Sequence, residues 1–211
     1  MNILMLGPQG SGKGTQARLL ADKFGFFYFE SGAFLRDLAK TNEVVRNIID
    51  FGKLVPDREM SSYIQAFFDA KGSYDNIIFD GFPRTSEQYE FFRKWLTDKG
   101  VKLDLAFVLK IRPEETVRRL SARRQDPATG KIYNLITDLP PDGVNVKSLI
   151  QREDDKPEAI ERRLQIYDEL TVPLIAKLKE DSKVVEVNGE RPIDEIKEEL
   201  AKIVEEMKND R

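Results

Sequence analysis

The sequence predicts an α/β fold in which helices cover both faces of a parallel sheet. Short continuous apolar runs recur between longer helical patterns, which is typical of strands buried on both faces. The first apolar run leads into a glycine-rich loop and a helix-like segment, the context of a phosphate-binding loop. The chain has 211 residues, enough for one domain with a full core and a small inserted lobe.

The predicted elements follow in order along the chain. Strands are predicted at the apolar runs 3–6, 26–29, 77–79, 105–111 and 184–187. Helices are predicted at segments 15–24, 35–49, 60–68, 85–100, 114–124, 158–178 and 193–208. Thr85 and Pro113 supply start signals for two of these helices, and Gly100 supplies a stop signal.

Segment 125–151 interrupts this alternation. It contains three prolines and two glycines and shows little periodicity. A stretch of that length without secondary structure is unusual inside a compact domain and usually marks a lid or a disordered insert. A plain surface loop is the alternative, but arginines flank the segment on both sides and functional loops concentrate on such scaffolds. The sequence therefore favours a lid.

The glycine-rich loop at residues 7–15 is predicted to hold phosphates. Its glycines let backbone N–H groups turn inward, and the N-terminus of the following helix adds partial positive charge. Lys13 lies where it can bridge the outer phosphates of a nucleotide. The loop departs from the strict phosphate-binding motif at one position. Residue 14, directly after the lysine, is glycine, and the first hydroxyl after the lysine belongs to Thr15.

Asp80 directly follows the apolar run 77–79. A carboxylate at the C-terminal tip of a parallel strand points into the crevice where such sheets bind ligands. Next to a phosphate-binding loop, that position serves Mg²⁺, usually through water. The alternative is a strand-end aspartate that caps the next turn.

Composition excludes several classes of function. The net charge is −3 and the isoelectric point about 5.3, so we expect no general attraction for nucleic acid or an anionic membrane. The absence of His and Cys excludes a Ser-His triad, a thiol nucleophile, disulfides, and zinc held by His or thiolate. No apolar run approaches the length of a membrane span, and charged residues interrupt the N-terminal apolar stretch. A cytoplasmic protein is the expectation.

Four motifs together resemble a known family. They are Gly-Lys-Gly-Thr-Gln at 12–16, Asp-Gly-Phe-Pro-Arg-Thr at 80–85, Arg-Arg at 123–124 and Arg-Glu-Asp-Asp at 152–155. Their order and spacing are similar to those of the adenylate kinases, within the nucleoside monophosphate kinases, over essentially the whole chain. The resemblance implies a single P-loop NTPase-like domain, 1–211, with a five-stranded parallel sheet. It further implies a lobe for AMP at 30–55 and an inserted lid at 122–155.

The resemblance also implies reversible phosphoryl transfer from ATP to AMP, giving two ADP, with Mg²⁺ held through water by Asp80. The residues implied for ATP are Gly10, Ser11, Gly12, Lys13, Gly14, Thr15, Arg119, Arg123, Ile132, Tyr133 and Arg191. Those implied for AMP are Ser31, Arg36, Lys53, Leu54, Val55, Gly81, Phe82, Pro83, Arg84, Gln88, Arg152 and Arg163. Those implied for catalysis are Lys13, Arg84, Arg123, Arg152 and Arg163.

These cations suit the reaction, because two anionic nucleotides must be brought together and phosphoryl transfer depends chiefly on positioning and charge neutralisation. Arginine grips phosphate oxygens in two places. Helical spacing predicts Arg119 and Arg123 on one face, consistent with a shared ligand. A lid that closes over the site would also exclude water.

The chain departs from the family pattern at several positions. Asp126 and Thr129 stand where many long-lid relatives have the first pair of zinc-ligand cysteines, so we expect no structural zinc and hydrogen bonding in its place. Ala33 stands where an aspartate near the metal waters is frequent, and Arg191 replaces a frequent lysine. A monomer is the expected state.

Three other functions compete with this interpretation. A kinase for UMP or CMP is disfavoured by the long lid and by Gln88. A GTPase-type switch is disfavoured because the sequence has no Asn-Lys-x-Asp guanine motif. A non-catalytic nucleotide-binding module would not need the lid arginines, which the chain retains.

Overall fold

Five parallel strands form the central sheet of the computed structural model, which describes residues 1–50, 53–152 and 155–209. The strands along the chain are β1 (Asn2–Leu6), β2 (Phe27–Glu30), β3 (Ile77–Asp80), β4 (Leu105–Lys110), β5 (Arg123–Gln125), β6 (Ile132–Asn134) and β7 (Lys183–Asn188). The central sheet has the order β2-β3-β1-β4-β7, and β5 pairs with β6 separately. All five predicted strands are confirmed, and β1 lies at the point where the strand order reverses, where such sheets bind ligands.

Nine helices surround the sheet within the described ranges. They are α1 (Lys13–Phe24), α2 (Ser31–Leu38), α3 (Glu43–Asp50), α4 (Asp57–Lys71), α5 (Ser86–Asp98), α6 (Pro113–Ala122), α7 (Pro157–Ile166), α8 (Val172–Asp181) and α9 (Ile193–Asn209). The predicted N-cap is confirmed at α5, where the Thr85 hydroxyl oxygen accepts from the Gln88 N–H at 3.1 Å.

The predicted helix at 35–49 is wrong as a single element. The structure divides it into α2 and α3, with a turn between them. The side-chain oxygen of Asn42 accepts a hydrogen bond from the Val45 N–H at 3.1 Å, so Asn42 caps α3 rather than continuing α2. Asparagine competes in this way for backbone donors, and the apolar pattern on either side does not reveal it.

The predicted helix at 158–178 is helical throughout but changes its geometry in the middle. Between α7 and α8, residues 167–171 form a single π-helical turn. Such a turn inserts an extra residue into the helix and is frequent at functional sites. Tyr167 and Thr171 of this turn line a cleft at the C-terminal ends of β1, β2 and β3.

The core lies on both faces of the sheet, as the continuous apolar strands predict. On β1, Leu4 and Leu6 pack into one buried cluster, whereas Ile3 and Met5 pack into the other. Alternate side chains of a strand point to opposite faces, so the apolar run 3–6 of this strand is covered on both sides. The outer strand β7 is less buried, which suits a sheet edge.

Aromatic rings dominate one of the two core clusters. Phe68 contacts Phe29, Phe79 and Trp95, with ring centroids 5.0, 5.5 and 5.5 Å away, and Phe79 contacts Phe92 at 4.9 Å. Trp95 is the chain's single tryptophan, and only 3% of its surface is exposed. This cluster supports β2 and β3, the strands whose ends carry Glu30 and Asp80.

Segment 125–151, which was expected to lack regular structure, begins with an antiparallel hairpin. Strand β5 pairs with β6, and the backbone of Gln125 also exchanges two hydrogen bonds with Ile150, at 2.8 and 2.9 Å. The hairpin turn is held by Asp126, which accepts from the Thr129 hydroxyl at 2.7 Å and the Ala128 N–H at 2.9 Å. Hydrogen bonds thus connect Asp126 directly with Thr129.

Candidate active site

A cleft of about 580 Å³ opens at the C-terminal ends of β1, β2 and β3. The phosphate-binding loop forms its floor, and the β5–β6 hairpin and α7 form one wall. Most of the residues implied by resemblance line it together: Gly10, Ser11, Gly12, Lys13, Gly14, Thr15, Ser31, Arg36, Asp80, Gly81, Arg84, Arg119, Arg123, Ile132, Tyr133, Arg152, Arg163 and Arg191. The structure therefore brings positions from the whole length of the chain into one cavity.

The loop between β1 and α1 has the backbone that phosphate binding requires. Gly10 and Gly12 have φ angles of +80° and +88°, a conformation that glycine adopts without strain. The following helix α1 begins at Lys13, so its first N–H groups face the cleft. The Ser11 hydroxyl is buried and has no hydrogen-bond partner within the described residues. The loop thus offers donors to an anion.

Lys13 is the cation that this loop itself carries. Its ammonium nitrogen lies 3.4 Å from the Pro8 carbonyl oxygen. Burial lowers the pKa of Lys13 to about 8, an effect that the charge of Asp80 opposes and the charges of Arg84, Arg163 and Arg123 reinforce. The ammonium group therefore lies close to one carboxylate and three guanidinium groups, an environment in which an anionic ligand would stabilise its charge.

Asp80 lies at the end of β3, only 5% exposed. Its Oδ2 accepts a hydrogen bond from the Tyr28 hydroxyl at 2.9 Å. Burial raises the pKa of the Asp80 carboxyl, although the neighbouring Lys13 ammonium opposes the effect. No group of three or more acidic side chains placed to enclose a metal occurs in the described part of the chain. One buried carboxylate beside a phosphate-binding loop fits Mg²⁺ held mainly by phosphates and water.

Arg84 enters the cleft from the loop after β3. Its Nε donates to the Gly81 carbonyl oxygen at 2.6 Å, and its own carbonyl accepts from the Thr171 hydroxyl at 3.0 Å. Gly81 has a φ of +81°, and a Cβ there would lie 2.6 Å from the Ser31 hydroxyl oxygen. Any larger residue at position 81 would therefore collide with the Ser31 hydroxyl and crowd the Arg84 guanidinium. The Phe82–Pro83 peptide bond is cis.

Glu30, at the end of β2, is a residue that the sequence analysis did not select. Its carboxylate accepts hydrogen bonds from Arg18 at 2.9 Å and Arg36 at 3.1 Å. Burial acts to raise the pKa of Glu30, but the two arginines outweigh it and hold the pKa below its ordinary value. Glu30 is the register partner of Asp80 in the sheet, so the strand-end rule that selected Asp80 could also have found it.

Asp155 performs a similar role on the opposite wall. Its side chain is fully buried and accepts from both Nε and Nη2 of Arg123, with the Nε–Oδ2 distance at 2.8 Å. Arg163 approaches the same carboxylate at 3.8 Å. Arg152 donates from Nε to the side-chain oxygen of Gln125 at 2.8 Å, which connects it to the hairpin. Arg123 and Arg163 therefore share the Asp155 carboxylate, and Arg152 is held by the hairpin.

The expectation that Arg119 and Arg123 share a helix face is wrong. Helix α6 ends at Ala122, and Arg123 has extended backbone angles as the first residue of β5. Both arginines nevertheless line the cleft. Arg119 is fixed by Glu115 at 2.6 Å and by the Gly189 carbonyl oxygen at 2.9 Å, so its guanidinium lies between α6 and the loop after β7.

Six positions implied for AMP do not line the cleft: Lys53, Leu54, Val55, Phe82, Pro83 and Gln88. Gln88 uses its amide within the protein, because its oxygen accepts from the Arg84 N–H at 2.8 Å and its nitrogen donates to Asp57 at 2.7 Å. In this conformation Gln88 supports the loop that carries Arg84. The AMP roles of all six positions stay predictions.

Several residues that line the cleft were missed by the sequence analysis: Arg18, Tyr28, Glu30, Asn134, Thr137, Asp138, Tyr167 and Thr171. Tyr28 and Glu30 had a detectable signal, since they lie on the same strand two positions apart and so on one face. Arg18 lies on α1, in a helix that the sequence predicted. The others depend on the hairpin and the segment after it or on the π-helical turn, whose geometry no short sequence pattern indicates.

Comparison with known proteins shows which family the chain is similar to in sequence. The family model described as "Adenylate kinase" matches residues 5–183. The chain is 37% identical to the adenylate kinase of Kosmotoga olearia, covering 98% of this chain and 100% of that protein. It is 36% identical to the adenylate kinase of Salinibacter ruber, covering 93% and 94%, and 35% identical to that of Pyrococcus furiosus, covering 99% and 98%. None of the helices in the described ranges has the length and apolar character that a bilayer crossing requires.

Proposed function

The chain belongs to the adenylate kinase family. We propose how its cleft binds ATP and AMP for the transfer of a phosphoryl group from one to the other. The enzyme is an ATP:AMP phosphotransferase, with two ADP as products. The observation that carries the proposal is the convergence of Lys13, Asp80 and the arginines of both walls on one cleft. Such a concentration of positive charge in a chain of net charge −3 requires an anionic ligand to explain it.

ATP is proposed to bind on the side of the phosphate-binding loop. The backbone N–H groups of 10–15 and the Lys13 ammonium group would hold its phosphates, with the Ser11 hydroxyl as a further donor. Ile132 and Tyr133 from the hairpin and the backbone near Arg191 would flank its adenine. Arg119, already fixed between α6 and the loop after β7, would lie beside the base.

AMP is proposed to bind at the ends of β2 and β3. Arg36 and Arg84 would grip its phosphate, and the Ser31 hydroxyl, buried without a hydrogen-bond partner within the described residues, would donate to the nucleotide. The lobe 30–55 would form the wall over the nucleoside. Arg152 and Arg163 would reach the phosphates from the opposite side.

Charge neutralisation and positioning would then supply most of the rate. Lys13 and Arg123 would stabilise the charge that spreads over the transferred group. Arg84 would hold the accepting phosphate in line with it. Asp80 would hold Mg²⁺ through water, and the metal would supply further charge neutralisation at the phosphates. The segment 122–155 would close over the cleft and exclude water, which prevents wasteful hydrolysis.

We further propose that the enzyme acts as a monomer in the cytoplasm. Residues implied for both nucleotides line a cleft formed by one chain, so a second copy is not needed to complete it. Analytical ultracentrifugation at micromolar concentration, with and without nucleotides, tests the oligomeric state. A dimer under both conditions would contradict the monomer.

The activity is tested by incubating the purified protein with Mg-ATP and AMP, GMP, CMP or UMP, and following the diphosphates formed. We expect rapid ADP formation from AMP alone, and ATP and AMP from ADP in the reverse direction. Lys13→Met protein purified in parallel controls for contaminating kinases. Preference for another monophosphate would overturn the acceptor specificity, and absence of transfer would favour a non-catalytic binding module.

A further inference from the structure

Tyr28 contacts the carboxylate that the proposed function assigns to Mg²⁺. Its hydroxyl donates to Asp80 Oδ2 at 2.9 Å, and the same hydroxyl lies 3.5 Å from Glu30 Oε2. Strand β2 places Tyr28 and Glu30 on one face, and the register pairs Glu30 with Asp80 on the next strand. Two carboxylates therefore end side by side, and the tyrosine hydroxyl reaches between them.

The tyrosine ring is fixed from the other side by helix α1. The Arg18 guanidinium carbon lies 5.4 Å from the centre of the Tyr28 ring, within cation–π distance. Arg18 also donates to Glu30 Oε2 at 2.9 Å. Arg18 therefore contacts both the Glu30 carboxylate and the face of the tyrosine ring. With the ring held in this way, the phenolic hydrogen is directed at Asp80.

Gly14 shows how closely this pair approaches the phosphate-binding loop. A Cβ on Gly14 would lie 3.3 Å from Asp80 Oδ2 and 3.3 Å from the Tyr28 hydroxyl oxygen. The first turn of α1 thus packs directly against the hydrogen bond between these two side chains. A side chain at position 14 would require both of these groups to shift by a few tenths of an ångström.

We propose that Tyr28 is a positioning residue that orients the Asp80 carboxylate toward the metal–nucleotide complex. By donating to Oδ2, the hydroxyl fixes the plane of the carboxylate beside the phosphate-binding loop. The inference rests on the proposed function, because it assumes that Asp80 serves Mg²⁺ with ATP. It assigns Tyr28 no contact with substrate.

Without the hydroxyl, the buried Asp80 carboxylate loses a hydrogen bond to its charged oxygen and is free to turn away from Glu30. A hydrogen bond to a charged group contributes enough to change an equilibrium constant by about 10-fold. The loss should fall on binding of the metal complex and spare nucleotide phosphates held by the loop itself. That difference separates positioning of Asp80 from general support of the fold.

The experiment compares the wild type with Tyr28→Phe, using calorimetric titration of a non-hydrolysable β,γ-imido analogue of ATP with and without MgCl₂. We expect Tyr28→Phe to weaken binding about 10-fold with Mg²⁺ and to leave metal-free binding unchanged. Tyr74→Phe is the matched control, because the Tyr74 hydroxyl donates to Asp69 at 2.8 Å on an exposed surface that does not line the cleft. It should change neither titration.

A double-mutant cycle isolates the path through Asp80. We expect Tyr28→Phe to have no further effect on the Mg²⁺-dependent affinity in an Asp80→Asn background. Equal weakening with and without Mg²⁺, or the full effect persisting in that background, would overturn the inference. If the wild type itself bound the analogue no better with Mg²⁺ than without, the metal role of Asp80 would fail first, and the inference with it.

Discussion

Glu30 and Asp155, one on each wall, hold arginines of the cleft in different environments. Asp155 is fully buried and binds Arg123 through both of its oxygens, with 17% of the Arg123 side chain exposed. Glu30 is 24% exposed and binds Arg18 and Arg36, whose side chains are 54% and 48% exposed. The ion pair on the lid wall is thus desolvated, whereas the ion pairs on the wall proposed for AMP are solvated.

This difference in exposure indicates which arginine can leave its carboxylate partner in order to bind a phosphate. Exposed ion pairs contribute about 0–1 kcal/mol, so Arg36 can exchange Glu30 for a nucleotide phosphate at little cost. Breaking a buried pair leaves an uncompensated charge and costs several kcal/mol. Arg123 should therefore keep Asp155 while it contacts phosphate, and Arg36 should exchange its partner.

The largest effect is predicted for removal of the Lys13 ammonium group from the phosphate-binding loop. Lys13→Met should lower kcat/KM for phosphoryl transfer by at least about 100-fold, because an ammonium group preorganised at the phosphates is lost. Steady-state kinetics with both nucleotides measure this, and circular dichroism establishes that the variant is folded. Near-normal activity would remove Lys13 from its proposed role and leave the arginines of the two walls to explain catalysis.

The second prediction separates the walls by substrate. Arg84→Ala should raise KM for AMP about 10- to 100-fold and change KM for ATP little, because Arg84 lies on the side proposed for AMP. Arg123→Ala should affect ATP and kcat more than AMP. Two-substrate kinetics with each variant test the division. An Arg84→Ala effect confined to ATP would reverse the proposed arrangement of the nucleotides.

The third prediction compares the two carboxylates directly. Asp155→Asn should lower the free energy of unfolding by about 2–4 kcal/mol, because it leaves Arg123 without its buried anion. Glu30→Gln should lower it by less than about 1 kcal/mol, because its partners are solvated. Urea titration of both variants gives the two values. Equal losses would mean that burial does not distinguish the walls.

The fourth prediction uses pH. The pKa of Lys13 is lowered to about 8, so its charge is lost as the pH rises through 8, while the arginines stay protonated. The charged form binds phosphate, and therefore ATP affinity should be about 10-fold weaker at pH 9 than at pH 7. Calorimetric titration across this range measures it. Lys13→Met should bind weakly with no such slope; a constant wild-type affinity to pH 10 would contradict the shift.

Much of the fold was predictable because its determinants are local. The strands are continuous apolar runs, and the N-cap at Thr85 and the phosphate-binding loop are short patterns with a fixed geometry. Asp80 followed from a rule on where parallel strands end. These features depend on burial and backbone conformation that the neighbouring residues impose.

The remainder depended on contacts between distant residues. The hairpin has strands of only three residues each and is completed by Ile150, so no periodicity announces it. The division at Asn42 depends on one side-chain hydrogen bond. The support of Arg123 by Asp155 spans the whole lid segment, and the hydrogen bond from Tyr28 to Asp80 joins two strands. The sequence does not indicate which distant residue a charged or hydroxyl side chain will bind in the folded protein.

The aromatic cluster around Trp95 has a spectroscopic consequence. As the chain's single tryptophan, buried among Phe68, Phe92 and Tyr74, it gives all of the indole fluorescence, and that emission should be blue-shifted in the folded protein. Its intensity and wavelength report the packing beneath β2 and β3 without any label. The protein therefore carries its own optical probe of unfolding for every variant described above.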